Sequence, residues 1–460
     1  METIRLRKGL DIHLQGEAQK TILQTLSPEV VAVRPSDYKQ VTPKLLVQEG
    51  DVVKAGQFLF SDKKRPEICF SSPVSGTVKA IVRGEKRKLL AVEITPDAKT
   101  EYVQFEPVKE PSKATRSEIQ KILLDSGLWA CIIQRPYGII ANPADTPKAI
   151  VISAFNSAPL AADTKFTVKN DVDAMQIAVD ALAKLTSGKV YVNISAKDDN
   201  ACPLSMLRNV EKTLFKGKHP AGCVGVQISH ICPIGKGEVV WTLKPQDLAA
   251  IGRLLSKGIY DVTRLVAVTG PRAIHPAYVK CTPGCSIESI VKAVGVKEEE
   301  TLYGQECGVR YVSGNPLSGE NVGRNGYLGF YDDQVTLLTE GNYRELFGWA
   351  KIFRPKKFST SKTYFSWLCP KKAYKADTNV NGGERAFIVN GVYEKVLPMD
   401  IYPVYLLKAI LAQDIEKMEQ FGIYEVIGED LALCEYICPS KIEIQKIVED
   451  GINLMLKEMA

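Results

Sequence analysis

The first quarter of the chain alternates apolar and polar residues over short runs. Two examples are residues 45–60, LLVQEGDVVKAGQFLF, and residues 71–82, SSPVSGTVKAIV. Turn residues interrupt the runs at Gly50, Gly56, Gly76 and Gly84. Short alternating runs bounded by turns are typical of β-strands with one buried face. The pattern predicts an all-β domain over residues 1–105.

The next part of the chain alternates predicted strands with predicted helices. Residues 106–127 resemble a linker that leads into a helix. Apolar runs predict strands at 148–155, 189–195, 223–229 and 263–270. Apolar residues three and four apart predict helices at 170–188, 204–215 and 245–258. Four strands interleaved with helices indicate a doubly wound, Rossmann-like parallel sheet over residues 106–270.

In the helix predicted at 170–188, one face carries most of the apolar side chains. These are Val172, Met175, Val179, Leu182 and Leu185, and Gly188 can end the helix. A small α+β unit follows over residues 271–340, with a short helix at 286–295 capped by Ser286 and a turn-rich strand at 308–322. Residues 341–460 are predicted to be rich in helix, at 401–422 and 440–459. The sequence therefore predicts a multidomain α/β protein.

Composition narrows the class of protein. The chain has 460 residues, 45% of them hydrophobic and 24% charged, with a net charge of +6. These values are ordinary for a globular protein, and the charge is too small and too dispersed to indicate nucleic-acid binding. The chain contains no run of about 18 apolar residues, so the sequence predicts no membrane span. The charged start, METIRLRKGLDIHL, and 11 scattered cysteines favour a reducing, cytoplasmic compartment.

The first candidate for chemistry is a lysine pair in the β domain. Lys63 and Lys64 follow Asp62 in a predicted hairpin, and Ser-Pro-x-x-Gly-x-Val follows further on. This order resembles the biotinyl/lipoyl carrier fold, in which one lysine at a hairpin tip is acylated. The adjacent lysines and the following Arg65-Pro66 depart from the usual carrier context. We expect the fold without the modification, and a covalent arm stays the alternative.

The predicted parallel sheet lacks the glycine-rich loop that holds a nucleotide phosphate. The turn after the first strand, residues 156–163, reads NSAPLAAD and contains no glycine. Neither G-x-G-x-x-G nor G-x-x-x-x-G-K-[ST] occurs in the chain. Residues 233–238, PIGKGE, lead into a strand rather than into a helix that could bind phosphate. We therefore expect the sheet to serve as a scaffold.

Histidines and cysteines show no metal-binding spacing. His13, His219, His230 and His275 are unpaired along the chain. Cys281 and Cys285 form C-x3-C around a Thr-Pro-Gly turn, and we interpret them as structural. Cys434, Cys438 and Pro439 match the end of the ferredoxin motif C-x2-C-x2-C-x3-C-P, but Leu431 and Gly428 replace its other two cysteines. Half of the ligand set is missing.

The order of these units resembles the A subunit family of the sodium-translocating NADH:quinone oxidoreductase. The segments that carry the resemblance span the whole chain; they are 4–16, 72–89, 134–161, 327–335, 344–359 and 431–441. The family is similar to the C subunit of the Rnf electron-transport complex and to the flavoprotein subunit of respiratory Complex I. The resemblance implies a biotinyl/lipoyl-like domain at 1–105, a Rossmann-like domain at 106–270, a β-grasp-like (SLBB) domain at 271–340 and a helical domain at 341–460.

Those flavin-binding relatives have a glycine-rich flavin loop and ferredoxin cysteines, and this chain departs from both. The matching region, residues 126–138, reads SGLWACIIQRPYG, and we expect Trp129, Ile132 and Ile133 to occupy the space of a flavin phosphate. We expect Cys434 and Cys438 to be a relic that packs. No catalytic, cofactor-binding or metal-binding residue is assigned. Flavins, iron–sulfur clusters, NADH and quinone would be bound by partner subunits.

The resemblance also implies a location and partners. The chain is expected to be a peripheral subunit on the cytoplasmic face of a bacterial inner membrane, docked chiefly on a membrane-embedded subunit, in a complex that couples electron transfer from NADH to quinone with sodium export. A contribution near the quinone site is one expectation. The aromatic candidates Trp129, Tyr137 and the 347–349 segment are favoured as core or interface residues. The alternatives are a biotinyl/lipoyl carrier and a stand-alone flavin or iron–sulfur protein.

Overall fold

The computed structural model describes residues 1–108, 110–198, 201–345, 347–348, 354, 357–360 and 364–458. Helices and strands are numbered along the chain. The predicted β domain is a sandwich of two small antiparallel sheets, in the orders β3-β9-β8-β5 and β4-β6-β7. Its strands are β3 Val31–Val33, β4 Pro43–Leu45, β5 Val52–Val53, β6 Phe58–Asp62, β7 Cys69–Ser71, β8 Gly76–Arg83 and β9 Leu89–Pro96. Inward residues such as Phe60, Phe70 and Val92 form its core.

A seven-stranded sheet forms the centre of the α/β unit, in the order β1-β14-β13-β12-β15-β10-β11. Its strands are β1 Glu2–Arg5, β10 Ile133–Arg135, β11 Ile139–Ile140, β12 Ala149–Ser153, β13 Lys189–Ser195, β14 Glu211–Lys216 and β15 Val240–Leu243. The first five in the order are parallel to one another, and β10 and β11 are antiparallel. The strands predicted at 148–155 and 189–195 are confirmed.

Helices cover both faces of this sheet. They are α1 Arg116–Ser126, α2 Thr164–Thr167, α3 Val172–Leu182, α4 Val224–Ile231 and α5 Pro245–Lys257. Ile150 and Ile152 of β12 belong to the apolar cluster that contains α3 and α5. Ala149 and Val151 cluster instead with Ile228 of α4 on the other face. The helices predicted at 170–188 and 245–258 are confirmed, although α3 ends at Leu182, before Gly188.

Two predictions in this unit are wrong: a predicted helix is mainly a strand, and a predicted strand is a helix. The spacing at 204–215 predicts a helix, but these residues form a single 3-10 turn at Pro203–Met206 followed by strand β14. Leu204 and Leu207 pack into the core from the turn, which imitates helical spacing. The apolar run at 223–229 predicts a strand, but it belongs to helix α4. Apolar contacts on two sides of α4 produce a continuous apolar run, which periodicity cannot distinguish from a buried strand.

The strand predicted at 263–270 exists, but it belongs to another sheet. This six-stranded sheet has the order β2-β17-β16-β22-β20-β21. Its strands are β2 Gln19–Thr25, β16 Arg264–Thr269, β17 Ala277–Cys281, β20 Val309–Ser313, β21 Glu320–Asn321 and β22 Gln334–Thr339, and β18 Thr301–Leu302 pairs separately with β19 Gln305–Glu306. Strand β1 belongs to the seven-stranded sheet and β2 to the six-stranded sheet, although both lie in the predicted β domain. The domain limits drawn from the sequence stay a prediction.

The remaining helices are α6 Ile287–Val294, α7 Pro403–Leu411, α8 Ile415–Phe421, α9 Ala432–Ile437 and α10 Ile444–Glu458. The predicted cap of α6 is confirmed, since Ser286 Oγ accepts from the backbone of Ser289. The helix predicted at 401–422 is two helices, because Asp414 caps the start of α8. The last four helices share an apolar cluster with Leu6, Phe215 and Val226, so they pack against the α/β unit.

Helices α3 and α5 approach closely at Gly252. A Cβ atom at this position would overlap the carbonyl oxygen of Ala174. In an open helix, glycine to alanine raises stability by about 1 kcal/mol. Here we expect Gly252→Ala to lower the free energy of unfolding by about 1–3 kcal/mol, since the helices must separate. The midpoint of urea unfolding measures the change.

The matched control for this substitution is Gly383→Ala. A Cβ atom at Gly383 meets no atom within 4 Å. We expect no shift of the unfolding midpoint for the control. A neutral or stabilising effect of Gly252→Ala would show that the two helices are not held at this distance.

Candidate functional site

A cavity of about 410 Å³ opens at the carboxyl ends of β12 and β15. From β12 the chain adds β13 and β14 on one side, and then returns through α4 to place β15 on the other side. The strand order therefore reverses between β12 and β15. In open α/β sheets, ligands bind outside the carboxyl ends of strands at such a reversal. The volume lies in the usual range for small-molecule sites, roughly 300–1,000 Å³.

All four predicted domains contribute to the wall of this cavity. The acidic, basic and histidine residues of the wall are Asp37, Lys39, Arg135, His219, Lys244, Asp247, Asp332, Asp333, Glu429 and Glu449. Several are held in ion pairs, such as Asp37 with Arg34 and Glu449 with Lys39. A wall with this many charged groups suits a polar ligand better than an apolar one.

Lys244 lies at the reversal point, directly after β15 and before the first turn of α5. Its Nζ donates a hydrogen bond of 2.6 Å to the carbonyl oxygen of Tyr331. Burial alone would lower the pKa of Lys244, but the carboxylates of Asp333, Asp332, Glu429 and Asp247 outweigh it and raise the pKa. The Lys244 side chain is exposed to solvent at the cavity wall, and it is therefore a charged ammonium group at neutral pH.

Asp247 lies one turn further along α5 and forms a buried ion pair. Arg264 Nη2 donates to Asp247 Oδ1 at 2.9 Å, and both side chains are almost fully buried. Burial raises the pKa of Asp247, against the opposing effect of Arg264 and Lys244. Among the described residues, Oδ2 of Asp247 has no hydrogen-bond partner.

His219 lies on the opposite wall in contact with Ser157. Ser157 Oγ is 3.0 Å from His219 Nδ1 and accepts from the backbone N–H of Gly222 at 2.8 Å. Burial lowers the pKa of His219 to about 4. The imidazole is therefore neutral at pH 7 and a weak base. The sequence gives no signal for this pair, because 62 positions separate the two residues along the chain.

A second buried ion pair lies at the wall near the C-terminal helices. Arg135 Nη1 donates to Asp430 Oδ2 at 2.7 Å, and the exposed fractions of the two side chains are 3% and 0%. Asp430 Oδ2 also accepts from the backbone N–H of Ile427 at 3.0 Å. Gly225 of α4 lies against this carboxylate, and a Cβ atom there would collide with it. The pair therefore joins the α/β sheet to the C-terminal part of the chain.

Lys63 and Lys64 occupy the exposed turn between β6 and β7, as the carrier-like pattern predicted. The buried carboxylate of Asp62 accepts from the backbone of Thr42 and Lys64 and from Arg65 Nε. Arg65 also donates to the carbonyl oxygen of Ile140 at 3.0 Å, so the hairpin tip contacts the central sheet. Acylation of either lysine stays an untested alternative.

The bulky residues predicted to fill a flavin site lie mainly elsewhere. Trp129 is in the core, where its indole N–H donates to the carbonyl oxygen of Ala141 at 2.8 Å and its ring packs edge-on against Trp241. Ile132 is also buried in that core, and only Ile133 of the three reaches the cavity wall. Tyr137 is buried as well. Phe347 is 63% exposed, and Trp349 lies outside the described residues.

The cysteines singled out by sequence are buried. Cys434 and Cys438 lie in the C-terminal apolar cluster, with Cys438 Sγ 2.9 Å from the hydroxyl of Tyr393. Burial raises the pKa of Cys434. Cys281 and Cys285 are also buried, and the Cys285 N–H donates to the Thr282 carbonyl in the predicted turn. Within the described ranges, no group of three or more His, Cys, Asp or Glu residues could hold a metal ion.

The Arg135–Asp430 pair makes a direct prediction about stability. Replacing Asp430 with asparagine leaves the buried guanidinium with only the half-exposed Glu429, 3.9 Å from Nη2, as a counter-charge. Removing one partner of a buried pair costs about 3–5 kcal/mol in proteins. We expect Asp430→Asn to lower the free energy of unfolding by that amount in chemical denaturation.

Glu211→Gln is the matched control, since Glu211 pairs with Lys189 at 2.7 Å on the surface, where the side chains are 53% and 63% exposed. Exposed pairs contribute about 0–1 kcal/mol. Equal effects of the two substitutions would contradict a structural role for the buried pair.

The lowered pKa of His219 predicts a dependence of stability on pH. The unfolded imidazole has a pKa of 6.5 and the folded one about 4, so between these values protons bind the unfolded chain more readily. Acidification through this window lowers the free energy of unfolding by about 3 kcal/mol, and the effect is absent above it. We expect His219→Gln to remove this part of the pH profile.

Asp37 acts in the opposite direction, because burial raises its pKa from 3.8 to about 6, but it is unchanged in the variant. The difference between wild-type and variant profiles therefore isolates His219. Replacement of the exposed His275 with glutamine is the control for the loss of a histidine from the surface. Parallel profiles for the wild-type and His219→Gln proteins would refute the assignment.

In the described part of the chain, no helix is long and apolar enough to cross a membrane. Two solved structures similar to this chain are NAD+-reducing [NiFe]-hydrogenases in the H2-reduced and air-oxidized states. Their TM-scores are 0.40 and 0.37, their sequence identities 11% and 10%, and the matches cover 76% and 78% of this chain and 64% and 67% of those chains. Similarities of this size support no functional conclusion.

Sequence comparison is far more specific. Residues 4–97 match the NqrA N-terminal barrel-sandwich hybrid domain, residues 114–260 the NqrA second alpha/beta domain, and residues 265–324 the NQRA C-terminal domain of the SLBB type. The second match ends before β16, in agreement with the sheet to which that strand belongs.

Curated relatives match along the whole chain. The A subunit of the Na(+)-translocating NADH-quinone reductase of Serratia proteamaculans is 37% identical, and that of Yersinia pestis is 36% identical. The corresponding protein of Neisseria meningitidis is 34% identical. Each match covers 99% of this chain and 100% of the relative. The chain therefore belongs to the family of A subunits of the Na(+)-translocating NADH-quinone reductase.

Proposed function

We propose that this chain is the A subunit of a complex that transfers electrons from NADH to quinone and exports sodium ions. The observation that carries the proposal is the similarity to curated A subunits over the full length of both chains. The matched barrel-sandwich, α/β and SLBB domains follow in the same order as the first three units of the structure. A Rossmann-like assignment of the α/β unit, and a separate helical domain at the end, are part of the proposal.

We further propose that the chain itself holds neither flavin nor an iron–sulfur cluster. The turn after β12 offers no glycine-rich phosphate loop, and Ile133 narrows the cavity beside it. Cys434 and Cys438 lie in an apolar cluster, and a cluster of the ferredoxin type needs four thiolates. The redox groups of the complex would therefore belong to its other subunits.

The same proposal places the chain at the cytoplasmic face of a bacterial membrane, docked chiefly on a membrane-embedded subunit. A contribution near the quinone site is included without an assigned residue. The charged wall of the cavity disfavours an apolar quinone tail inside it, so any contribution would come from the surface that meets the partner.

Purification from the native host tests the function. The tagged chain is isolated from gently solubilised membranes, and electron transfer from NADH to quinone is assayed with and without sodium ions. We expect membrane subunits to co-purify and sodium to stimulate the activity. The absorption spectrum of the separated chain is expected to lack flavin and iron–sulfur bands.

Recovery of the chain alone, without NADH-to-quinone activity, would refute the proposed function. Stoichiometric flavin or iron in the separated chain would refute the absence of redox groups. The intact mass of the Lys63–Lys64 peptide tests the carrier alternative, which requires an added biotinyl or lipoyl group. Lys64→Arg serves as the control for that mass shift.

A further inference from the structure

One short loop places apolar side chains outward and a polar side chain inward. Residues 365–372, here called the 365–372 loop, begin with a 3-10 helix at Phe365–Leu368. Phe365, Trp367 and Leu368 are 46%, 51% and 61% exposed, whereas Ser366 between them is buried. This pattern of exposure is the reverse of the usual one, because apolar side chains normally face the core. It therefore needs a physical reason.

Hydrogen bonds fix this inverted arrangement. Ser366 Oγ accepts from the backbone N–H of Ser359 at 3.1 Å, which holds the serine inward. The backbone N–H of Cys369 donates to the carbonyl of Ser366, and that of Lys372 donates to the carbonyl of Cys369. The outward orientation of Trp367 and Leu368 therefore follows from the closed turns around them.

The end of the loop is attached to the first residues of the chain. The backbone N–H of Tyr374 donates to the carbonyl of His13 at 2.8 Å, and the N–H of Gln15 donates to the carbonyl of Tyr374 at 2.9 Å. Gln15 Nε2 donates in addition to the carbonyl of Ala373. The loop therefore projects from a base that is bonded to another part of the fold.

Two lysines follow the exposed apolar residues after Cys369 and Pro370. Lys371 and Lys372 are both exposed, and Lys372 Nζ lies 5.6 Å from the centre of the Tyr374 ring. Tryptophan is enriched where a membrane meets water, and lysines near it bind the phosphates of anionic lipids. The 365–372 loop contains both an exposed tryptophan and adjacent lysines within eight residues.

The size of the exposed patch distinguishes a lipid from a protein as its partner. A stable protein interface buries about 800 Å² on each side, which the three half-exposed side chains of the described loop residues cannot supply. Insertion into a lipid headgroup layer needs only a few aromatic or aliphatic side chains and adjacent cations. The charge and the size of the patch thus favour a lipid surface.

We propose that the 365–372 loop is a binding site for anionic phospholipid headgroups. Trp367 and Leu368 enter the interface between headgroups and acyl chains, and Lys371 and Lys372 contact the lipid phosphates. The site gives the chain a direct contact with the bilayer, in addition to its contact with a membrane subunit. This inference rests on the proposed location of the chain at a membrane.

Vesicle sedimentation with the purified full-length chain tests the proposal. We expect the chain to sediment with vesicles of mixed phosphatidylcholine and phosphatidylglycerol, and not with vesicles of phosphatidylcholine alone. Replacing both Lys371 and Lys372 with glutamine is expected to weaken binding roughly 10- to 30-fold. The variant Trp367→Ser with Leu368→Ser is expected to lose binding, and its circular dichroism and unfolding midpoint should equal those of the wild type.

The matched control replaces Lys63 and Lys64 with glutamine. This pair is also adjacent and exposed, but its neighbours Asp62 and Phe60 are buried, so it lacks an exposed apolar partner. The control variant should bind vesicles as the wild type does. Equal losses of vesicle binding for both lysine pairs would show that net charge alone causes the binding. That result would overturn the site.

Other outcomes separate this inference from the proposed function. If the chain co-purifies with membrane subunits but does not bind anionic vesicles, the lipid site is refuted and the proposed function stands. If the loop variants bind vesicles normally but no longer co-purify with the complex, the loop contacts a protein and the lipid site is refuted. Loss of vesicle binding in the loop variants alone supports the site whether or not the complex is recovered.

Discussion

The buried ion pair between Arg135 and Asp430 connects parts of the chain that are 295 positions apart. Arg135 belongs to the antiparallel edge of the central sheet, and Asp430 precedes the helices at the end of the chain. Neither charge has access to bulk water, so each depends strongly on the other, and Glu429 is a more distant second partner, 3.9 Å from Arg135 Nη2. The position of the C-terminal helices against α4 depends on this contact, because Gly225 leaves room for the carboxylate. One wall of the cavity depends on it in turn.

Similar contacts join the remaining units around the same cavity. Tyr331, which lies between β21 and β22, donates from its hydroxyl to the carbonyl of Ala130 at 2.7 Å, and its own carbonyl accepts from Lys244. The β sandwich contributes Asp37, whose carboxylate accepts from the backbone of Phe330. The cavity is therefore enclosed by polar contacts between units. Its charge pattern is a property of the assembled chain and of no single unit.

The cavity at the strand reversal bears on the proposal that the sheet serves as a scaffold. The crevice between β12 and β15 remains, but the turn beside it lacks glycine and the neighbouring carboxylates surround Lys244. A phosphate would meet several negative charges there, which electrostatics disfavours. The polar groups instead bind one another and hold four units together.

The local pattern of apolar residues was sufficient to predict a helix or strand where that element is long or has one buried face. Helix α5, with its proline start and glycine end, and strand β13 are examples that periodicity identified correctly. Pattern failed for 204–215 and 223–229, where short apolar runs pack on two sides and helix and strand look alike. The resemblance to the family came from sequence alone, and so did the β sandwich with Lys63 and Lys64 at a hairpin tip. Only the tertiary structure decided that β1 and β2 leave the first unit, that His219 meets Ser157, and that Arg135 meets Asp430, because these contacts join residues far apart along the chain and no local periodicity records them.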